Sequence, residues 1–315
     1  MATVQYMNVK TAALQWGLTE RRVRILCSEG RVDGVIRNGW AWNIPAGAPK
    51  PQDGRTLRHI KNTNMRPGAV NYKELDTLKQ RLSETDCGPA EVWSVLRSQI
   101  PRLVSGAFAF DGVVVSATDI DALYRGKLVP SLSFEETLLA LNCRTILLRT
   151  LAVTGLGPIE RGAVDTPFLS EQKLRLLERD LLAGIDDMPS LLYREASLPA
   201  GGADDSKLFS IAAQMAILMM QYEKEWQMLH PLVRASFLFG ELVRLRPFDG
   251  HDGMFALLAM DMELLASGYP PAIISSDQCE EVRADLALTT GRGNYQRLIG
   301  FFEHSLIGSL KEIEG

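Results

Sequence analysis

From residue 71 onward apolar residues return at three- and four-residue intervals in segment after segment, while stretches that alternate at every second residue are few and short. A chain with this pattern buries its apolar positions only by packing amphipathic helices on one another. Helices are predicted over Asn71–Glu84, Pro89–Gln99, Thr118–Arg125, Phe134–Ala152, Ser170–Gly184, Asp204–Gln227, Pro231–Leu245, Met254–Ser267 and Gly293–Glu314. At 315 residues and 46% hydrophobic content the chain can hold one large core and a small accessory domain. The expected class is mostly α.

Charge separates the two parts. The net charge is −4, but residues 1–70 carry eleven Lys/Arg against four Asp/Glu, a balance of +7 that leaves −11 for the rest. A basic first segment suits a polyanion. In "MNVKTAALQWGLTERRVRILCSEGRVDGV" Asn8 can cap a helix from Val9 to Trp16 that Gly17 ends, and Thr19 a second from Glu20 to Glu29 that Gly30 ends. Val9, Ala12, Ala13 and Trp16 share one face, Val23, Leu26 and Cys27 another, with Leu18 between them; Arg21, Arg22 and Arg24 lie on the outer face. "GVIRNGWAWNIP" then alternates around Asn38-Gly39, a hairpin signal with Arg37 expected at its tip. This order resembles the winged helix–turn–helix modules of excisionase and MerR-type regulators. The resemblance implies that residues 1–48 bind DNA through Arg21, Arg22, Arg24 and Arg37. Residues 49–68 read as a linker and 69–315 as the large domain. A homodimer is compatible with paired half-sites on DNA.

The four cysteines are scattered without metal-ligand spacing, which gives no support for zinc. The apolar runs are shorter than the ~20 residues of a membrane span, and the start lacks a secretory pattern, so a cytoplasmic protein without membrane contact is expected.

One stretch carries chemistry. "RLRPFDGHDGMFALLAM", Arg244 to Met260, sets Pro, Phe, Asp and two glycines between two amphipathic segments, a build that gathers backbone N–H groups at a helix start and holds an anion. The longer span "HPLVRASFLFGELVRLRPFDGHDGMFALLAMDMELLASGYPPAI", His230 to Ile273, resembles the Fic (Fido) family core with its motif HPFx(D/E)GNGRxxR and a following "GYPP". "SGAFAFDGVVVSATDIDALYRG", Ser105 to Gly126, resembles the segment whose Ser/Thr-x-x-x-Glu-Gly/Asn marks an autoinhibitory helix, with Asp111 and Gly112 in the Glu-Gly places. Tyr193-Arg194, upstream of a target-docking flap, also has a family counterpart.

The resemblance implies protein AMP transfer with ATP and Mg²⁺, the motif His as base, the acid on the metal and the first Arg on the γ-phosphate. Ungapped, however, Arg246 stands at the His, Gly250 at the acid, His251 and Asp252 at the Gly-Asn, and Met254 and Leu257 at the two arginines. A guanidinium is no general base near neutral pH. The first expectation is therefore a degenerate Fic-fold protein acting as a DNA-associated regulator or interaction module. Its phosphate loop would comprise Arg246, Phe248, Asp249, Gly250, Asp252 and Gly253, and its Asp111 latch would have lost its partner. The alternative is an active transferase that moves AMP or another phosphate-containing group onto a protein hydroxyl. There His251 would serve as substitute base, oriented by Asp249 or Asp252, with one of these acids on Mg²⁺. After Tyr193-Arg194 a hairpin is expected at Ala200-Gly201-Gly202.

Overall fold

The computed structural model describes residues 6–28, 32, 35–38, 41–46, 48, 65–68, 71–84, 89–154, 168–185, 192–199 and 208–314. The chain divides into two units, Met1–His59 and Ile60–Gly315. Within the first, β1 (Tyr6–Met7) leads to α1 (Val9–Trp16) and α2 (Glu20–Ser28), then to β2 (Ile36–Asn38) and β3 (Ala41–Pro45), in a sheet of order β1-β3-β2. Local chemistry sets both helices. The Asn8 side chain accepts from Thr11 N, Gly17 ends α1 in the left-handed region at φ 62°, and Thr19 Oγ1 accepts from Arg22 N. Val9, Ala12, Ala13, Trp16, Val23, Leu26, Cys27 and Ile44 form one small core, with Leu18 packed against it.

Arg37 is not at a hairpin tip. It sits inside β2 opposite Trp42, its guanidinium over that ring, and Asn38 pairs with Ala41. Gly30 and Gly39 fall outside the described residues, as do Cys87, most of the expected linker and the Ala200-Gly201-Gly202 turn.

The large unit is a stack of helices: α3 (Lys73–Glu84), α4 (Pro89–Phe110), α5 (Ala117–Tyr124), α6 (Phe134–Thr154), α7 (Glu171–Leu181), α8 (Ile211–Lys224), α9 (Pro231–Leu245), α10 (Asp252–Ala266), α11 (Cys279–Arg292) and α12 (Gln296–Glu314). A small antiparallel pair, β4 (Ser197–Pro199) with β5 (Leu208–Ser210), precedes α8. Helix α10 is the axis. It is apolar apart from Asp252, Asp261 and Glu263, its residues from Asp252 to Asp261 are all buried, and α9, α6, α4 and α7 pack against it. Helix α6 is long and apolar enough by length and composition to cross a bilayer, but Leu139, Ala140, Cys143, Ile146, Leu147 and Leu151 face this core.

Several helices differ from expectation for physical reasons. Helix α4 does not stop at Gln99; it runs through Pro101 to Phe110, because Ile100, Leu103, Val104 and Phe108 bury enough surface to outweigh the hydrogen bond that Pro removes. Helix α8 begins at Ile211 under a Ser210 cap instead of near residue 204, the preceding residues 208–210 having joined the strand pair. Helix α11 has no counterpart among the predicted helices. His230 caps α9: its Nδ1 accepts from Leu232 N ahead of Pro231, its ring stacks on Tyr72 and its Nε2 meets Asp76 at 3.1 Å.

Beside α10 lies a buried ion pair. Arg234, 3% exposed, donates Nε to Glu263 Oε1 at 2.6 Å and a second nitrogen to Ser267 Oγ at 3.0 Å, while Tyr222 donates its hydroxyl to Glu263. Removing one partner leaves a buried charge without compensation. Arg234→Met is expected to lower the unfolding free energy by about 3–5 kcal/mol in urea titrations, and a joint Arg234→Met, Glu263→Leu change to recover most of that loss.

Candidate functional site

The turn between α9 and α10 is built from backbone conformations that few sequences tolerate. Arg246 ends α9 at φ 46°, Gly250 lies at φ 98° and His251 at φ 51°, so three residues of the loop occupy the left-handed region. What holds them is explicit. Phe248 is buried between Tyr193 and Phe255 at ring separations of 5.4 and 5.1 Å, and so anchors the loop instead of meeting a phosphate. Arg194 donates to the carbonyls of Leu245, at 3.0 Å, and of Arg246, and its own N–H donates to Pro247 O at 3.0 Å. The Tyr193-Arg194 pair therefore closes the end of α9, a cation on C-terminal carbonyls.

At the other side of the loop α10 begins with buried N–H groups that have no partner within the helix. His251 supplies no side-chain cap. Instead the N–H groups of Gly253 and Met254 donate to the two carboxylate oxygens of Asp111, each at 3.0 Å. This is an anion seated on a helix N-terminus, and the anion is the chain's own side chain. The latch expected to have lost its partner has one after all: backbone amides, not the side chain at Leu257, which is buried in the core. Gly253 is required there, since a Cβ would lie 2.2 Å from Asp111 Oδ1 and 2.4 Å from the Phe110 ring. Gly112, at φ 91°, ends α4 just beyond Asp111, with Val113 N donating back to Phe108 O. Burial of the Asp111 carboxyl head raises its pKa, against the lowering by the two amide hydrogen bonds and by His251 and Arg283 nearby.

The other predicted residues separate. Arg246 donates Nε to Asp252 Oδ2 at 2.9 Å, which leaves it two-thirds exposed but committed to that carboxylate. His251 is oriented by neither Asp249 nor Asp252; its Nε2 lies 3.3 Å from Glu135 Oε1, from the first turn of α6. Asp249 and Gly250 are exposed at the loop's outer edge. Arg246, His251, Asp252, Gly253 and Asp111 all line one cleft of about 830 Å³, together with Glu135 and Arg283. Arg283, from the helix missed in the sequence, donates to Ala109 O at 3.0 Å and Phe110 O at 2.7 Å and lies over the Phe110 ring. Cys279, Val282 and Leu286 recur at helical spacing along α11, but the polar Asp285 and Thr289 share the buried face and break up the apolar stripe. In the N-terminal unit Arg24 pairs with Glu20 at 2.9 Å on the exposed side of α2, where Arg21 is also exposed and Arg22 partly so.

Among the described residues no group of three or more His, Cys, Asp or Glu could hold a metal. One oxygen of Asp252 is taken by Arg246, and the other is buried without a hydrogen-bond partner.

A glycine-bearing loop thus delivers a helix N-terminus to a cleft in a helical stack that also carries a two-stranded sheet. The chain is a Fic-fold protein. Fic-1 from C. elegans aligns over 84% of this chain and 71% of its own with a TM-score of 0.62 at 18% identity. A Fic-domain signaling protein from Bacteroides thetaiotaomicron covers 78% of this chain and 96% of its own (TM-score 0.60, 20% identity), and a Fic family protein from Desulfovibrio desulfuricans covers 79% and 76% (0.57, 18%). By sequence the chain is 26% identical over 125 residues to a protein adenylyltransferase Fic from Drosophila mojavensis, a match spanning 38% of this chain and 24% of that relative. No family model matches the sequence.

Beneath the loop, Glu178 of α7 is 1% exposed with neither carboxylate oxygen hydrogen-bonded, and burial with the nearby Asp252 charge pushes its pKa up to about 8. Asp261, accepting from Ala272 N at 2.9 Å, is likewise pushed up to about 8 by burial. Both hold protons in the folded state that the unfolded chain releases near pH 4. The contribution of these two groups to stability is therefore greatest on the acid side of this window and declines as pH rises from about 4 to about 8. Glu178→Gln is expected to flatten that decline, adding on the order of a few kcal/mol at pH 9 and almost nothing at pH 4. Urea titrations at both pH values measure it, and an unchanged slope would show that Glu178 is not the group titrating.

Proposed function

We propose that the chain is a degenerate Fic-fold protein that does not carry out ordinary AMP transfer and serves as a DNA-associated regulator or interaction module. The observation that carries this reading is the pair of 3.0 Å hydrogen bonds from Gly253 and Met254 N–H to Asp111. The place in the cleft where backbone donors and a helix N-terminus converge is filled by a tethered carboxylate. A phosphate must displace a group whose local concentration no free ligand reaches easily. The position that resembles the family's base is Arg246, which keeps its proton at any physiological pH and is paired with Asp252. The Drosophila mojavensis relative is named an adenylyltransferase, and its activity is the benchmark against which this chain is tested.

The N-terminal unit supplies the second half of the proposal. Two short helices followed by a β2–β3 hairpin, in a segment of charge +7, suit a winged helix–turn–helix that places α2 against DNA. Arg21, Arg22 and Arg24 on α2 and Arg37 on β2 would meet phosphates or base edges.

A second reading has one observation in its favour: His251 Nε2 lies beside Glu135 on the lip of the cleft, the pairing a substitute general base needs. The two are separated by incubating the purified chain with labelled ATP, Mg²⁺ and a cell extract. The leading reading expects no labelled protein from either the parent chain or His251→Ala. Labelling by the parent that His251→Ala abolishes, with the fold intact, would replace the leading reading with the second.

For DNA, mobility shifts are expected to show binding that weakens steeply with salt. Arg21→Ala with Arg22→Ala should reduce the slope of log K against log salt by about 0.9 for each phosphate that the variant no longer neutralises. Absence of any shift at low salt removes the DNA half of the proposal.

A further inference from the structure

Helix α2 carries an acid on the side it would turn to DNA. Between Glu20 and Cys27 the exposed residues are Glu20, Arg21 and Arg24; Arg22 and Ile25 are half-buried, and Val23, Leu26 and Cys27 enter the small core. Spacings of three and four set Arg24 in the middle of that exposed face, one turn beyond both Arg21 and Glu20. Glu20 is one of only four acids among eleven Lys/Arg in residues 1–70. A carboxylate in this place repels every phosphate that the basic segment attracts.

Its contact explains the placement. Glu20 Oε2 accepts from a terminal nitrogen of Arg24 at 2.9 Å, with the two side chains 45% and 55% exposed. An exposed pair of this kind adds little to helix stability, and an acid in the first turn serves the helix dipole whether or not it touches an arginine. What the pair changes is the arginine itself. It takes one N–H of the guanidinium, holds the group over the centre of the helix face, and leaves the rest of the planar fork for a second acceptor. A phosphate suits that fork poorly, because Glu20 travels with it. Guanine suits it well: O6 and N7 lie side by side in the major groove, and arginine bidentate to them is the commonest specific contact. Arg21 differs, for it has Gly17, Leu18, Arg24 and Ile25 as its three- and four-residue neighbours and no acid among them.

We propose that Arg24, held by Glu20, reads a guanine in the major groove, so that the DNA bound by this module carries a required G·C pair. The inference rests on the DNA-binding reading above and adds the base that is recognised. Arg24 is the base-reading residue, Arg21 a phosphate contact, and Glu20 a positioning residue with a second effect. Where the guanine is missing, its charge stands against phosphates and base edges with no gain from Arg24. Specificity is a difference of two affinities, and Glu20 acts on both.

The test is selection of duplexes from a random-sequence pool by the full chain, followed by titration of the selected duplex and of a copy whose G·C pair is replaced by A·T. The parent is expected to enrich a guanine and to prefer the selected duplex by roughly tenfold or more. Arg24→Ala is expected to bind both duplexes alike. Glu20→Gln is expected to bind the substituted duplex more tightly than the parent does, which narrows the ratio, with helical circular dichroism unchanged. Arg21→Ala should weaken both duplexes equally and keep the parent's ratio. Should Arg24→Ala unfold the module, Arg24→Lys decides in its place: it keeps the charge without the fork, and is expected to lose the ratio while still binding DNA. A parent that binds DNA without enriching a guanine, or a position-24 variant that keeps the parent's ratio, overturns the inference and leaves DNA binding standing. A parent that binds no duplex even at low salt overturns the DNA-binding reading and this inference with it.

Discussion

The start of helix α10 imposes the constraint on which the rest of the large unit depends. A helix buried on every side cannot leave its first N–H groups to solvent, and unpaired buried donors cost roughly 1–3 kcal/mol each. His251 offers no side-chain cap, so the donors must be met from elsewhere in the chain. Asp111 meets two of them from the end of α4. The end of α4 in turn has carbonyls to satisfy, and Arg283 of α11 takes those of Ala109 and Phe110. A carboxylate at one helix start and a guanidinium at another helix end are the placements the helix dipole favours. Through these two contacts α4, α10 and α11 fix one another, and the cleft is the space left between them.

This arrangement also decides what the cleft can bind. A helix N-terminus attracts an anion whether or not the anion is a ligand, and a tethered carboxylate wins over a dilute phosphate unless further cations draw the phosphate in. The cations nearest to hand are occupied: Arg246 by Asp252, Arg244 by Glu241 and Gln214, Arg283 by the α4 carbonyls. The geometry thus stores its electrostatic complementarity inside the chain.

Much of the fold was legible because it is written locally. Asn8 and Gly17 bound α1, His230-Pro231 starts α9, and the apolar run after Gly253 marks a buried helix; each follows from the preference of one or two residues. The site was legible only as a loop. Which residue would cap α10 depended on Asp111, some 140 positions away in sequence, and periodicity reports faces without naming partners. The same limit hid Glu135 beside His251 and Arg194 on the α9 carbonyls. Helix α11 escaped for another reason: Asp285 and Thr289 are among its buried positions, so its inner face is too polar to stand out as an apolar stripe. Pro101 misled in the opposite sense, as a local stop signal overridden by the packing of α4.

In the proposed reading, the residues at the positions of the motif that the loop resembles are also internally consistent. In the proposed reading Arg246 and Asp252, standing where the resemblance has His and Asn, pair with each other at 2.9 Å. Met254, in place of the first arginine, is fully buried with its sulfur 3.3 Å from Cys143 Sγ. Leu257, in place of the second, joins the core. Arginines buried at these two positions would need acceptors or a ligand's phosphates; methionine and leucine need neither. A site that binds anions keeps polar groups poised and unsatisfied at some expense of stability. Here Met254 and Leu257 are turned into the core and the exposed Arg246 is matched to Asp252, while Asp252 Oδ1 and the carboxyl of Glu178 have no hydrogen-bond partner. Burial raises the pKa of both carboxyls, Glu178 on α7 and Asp252 at the first position of α10.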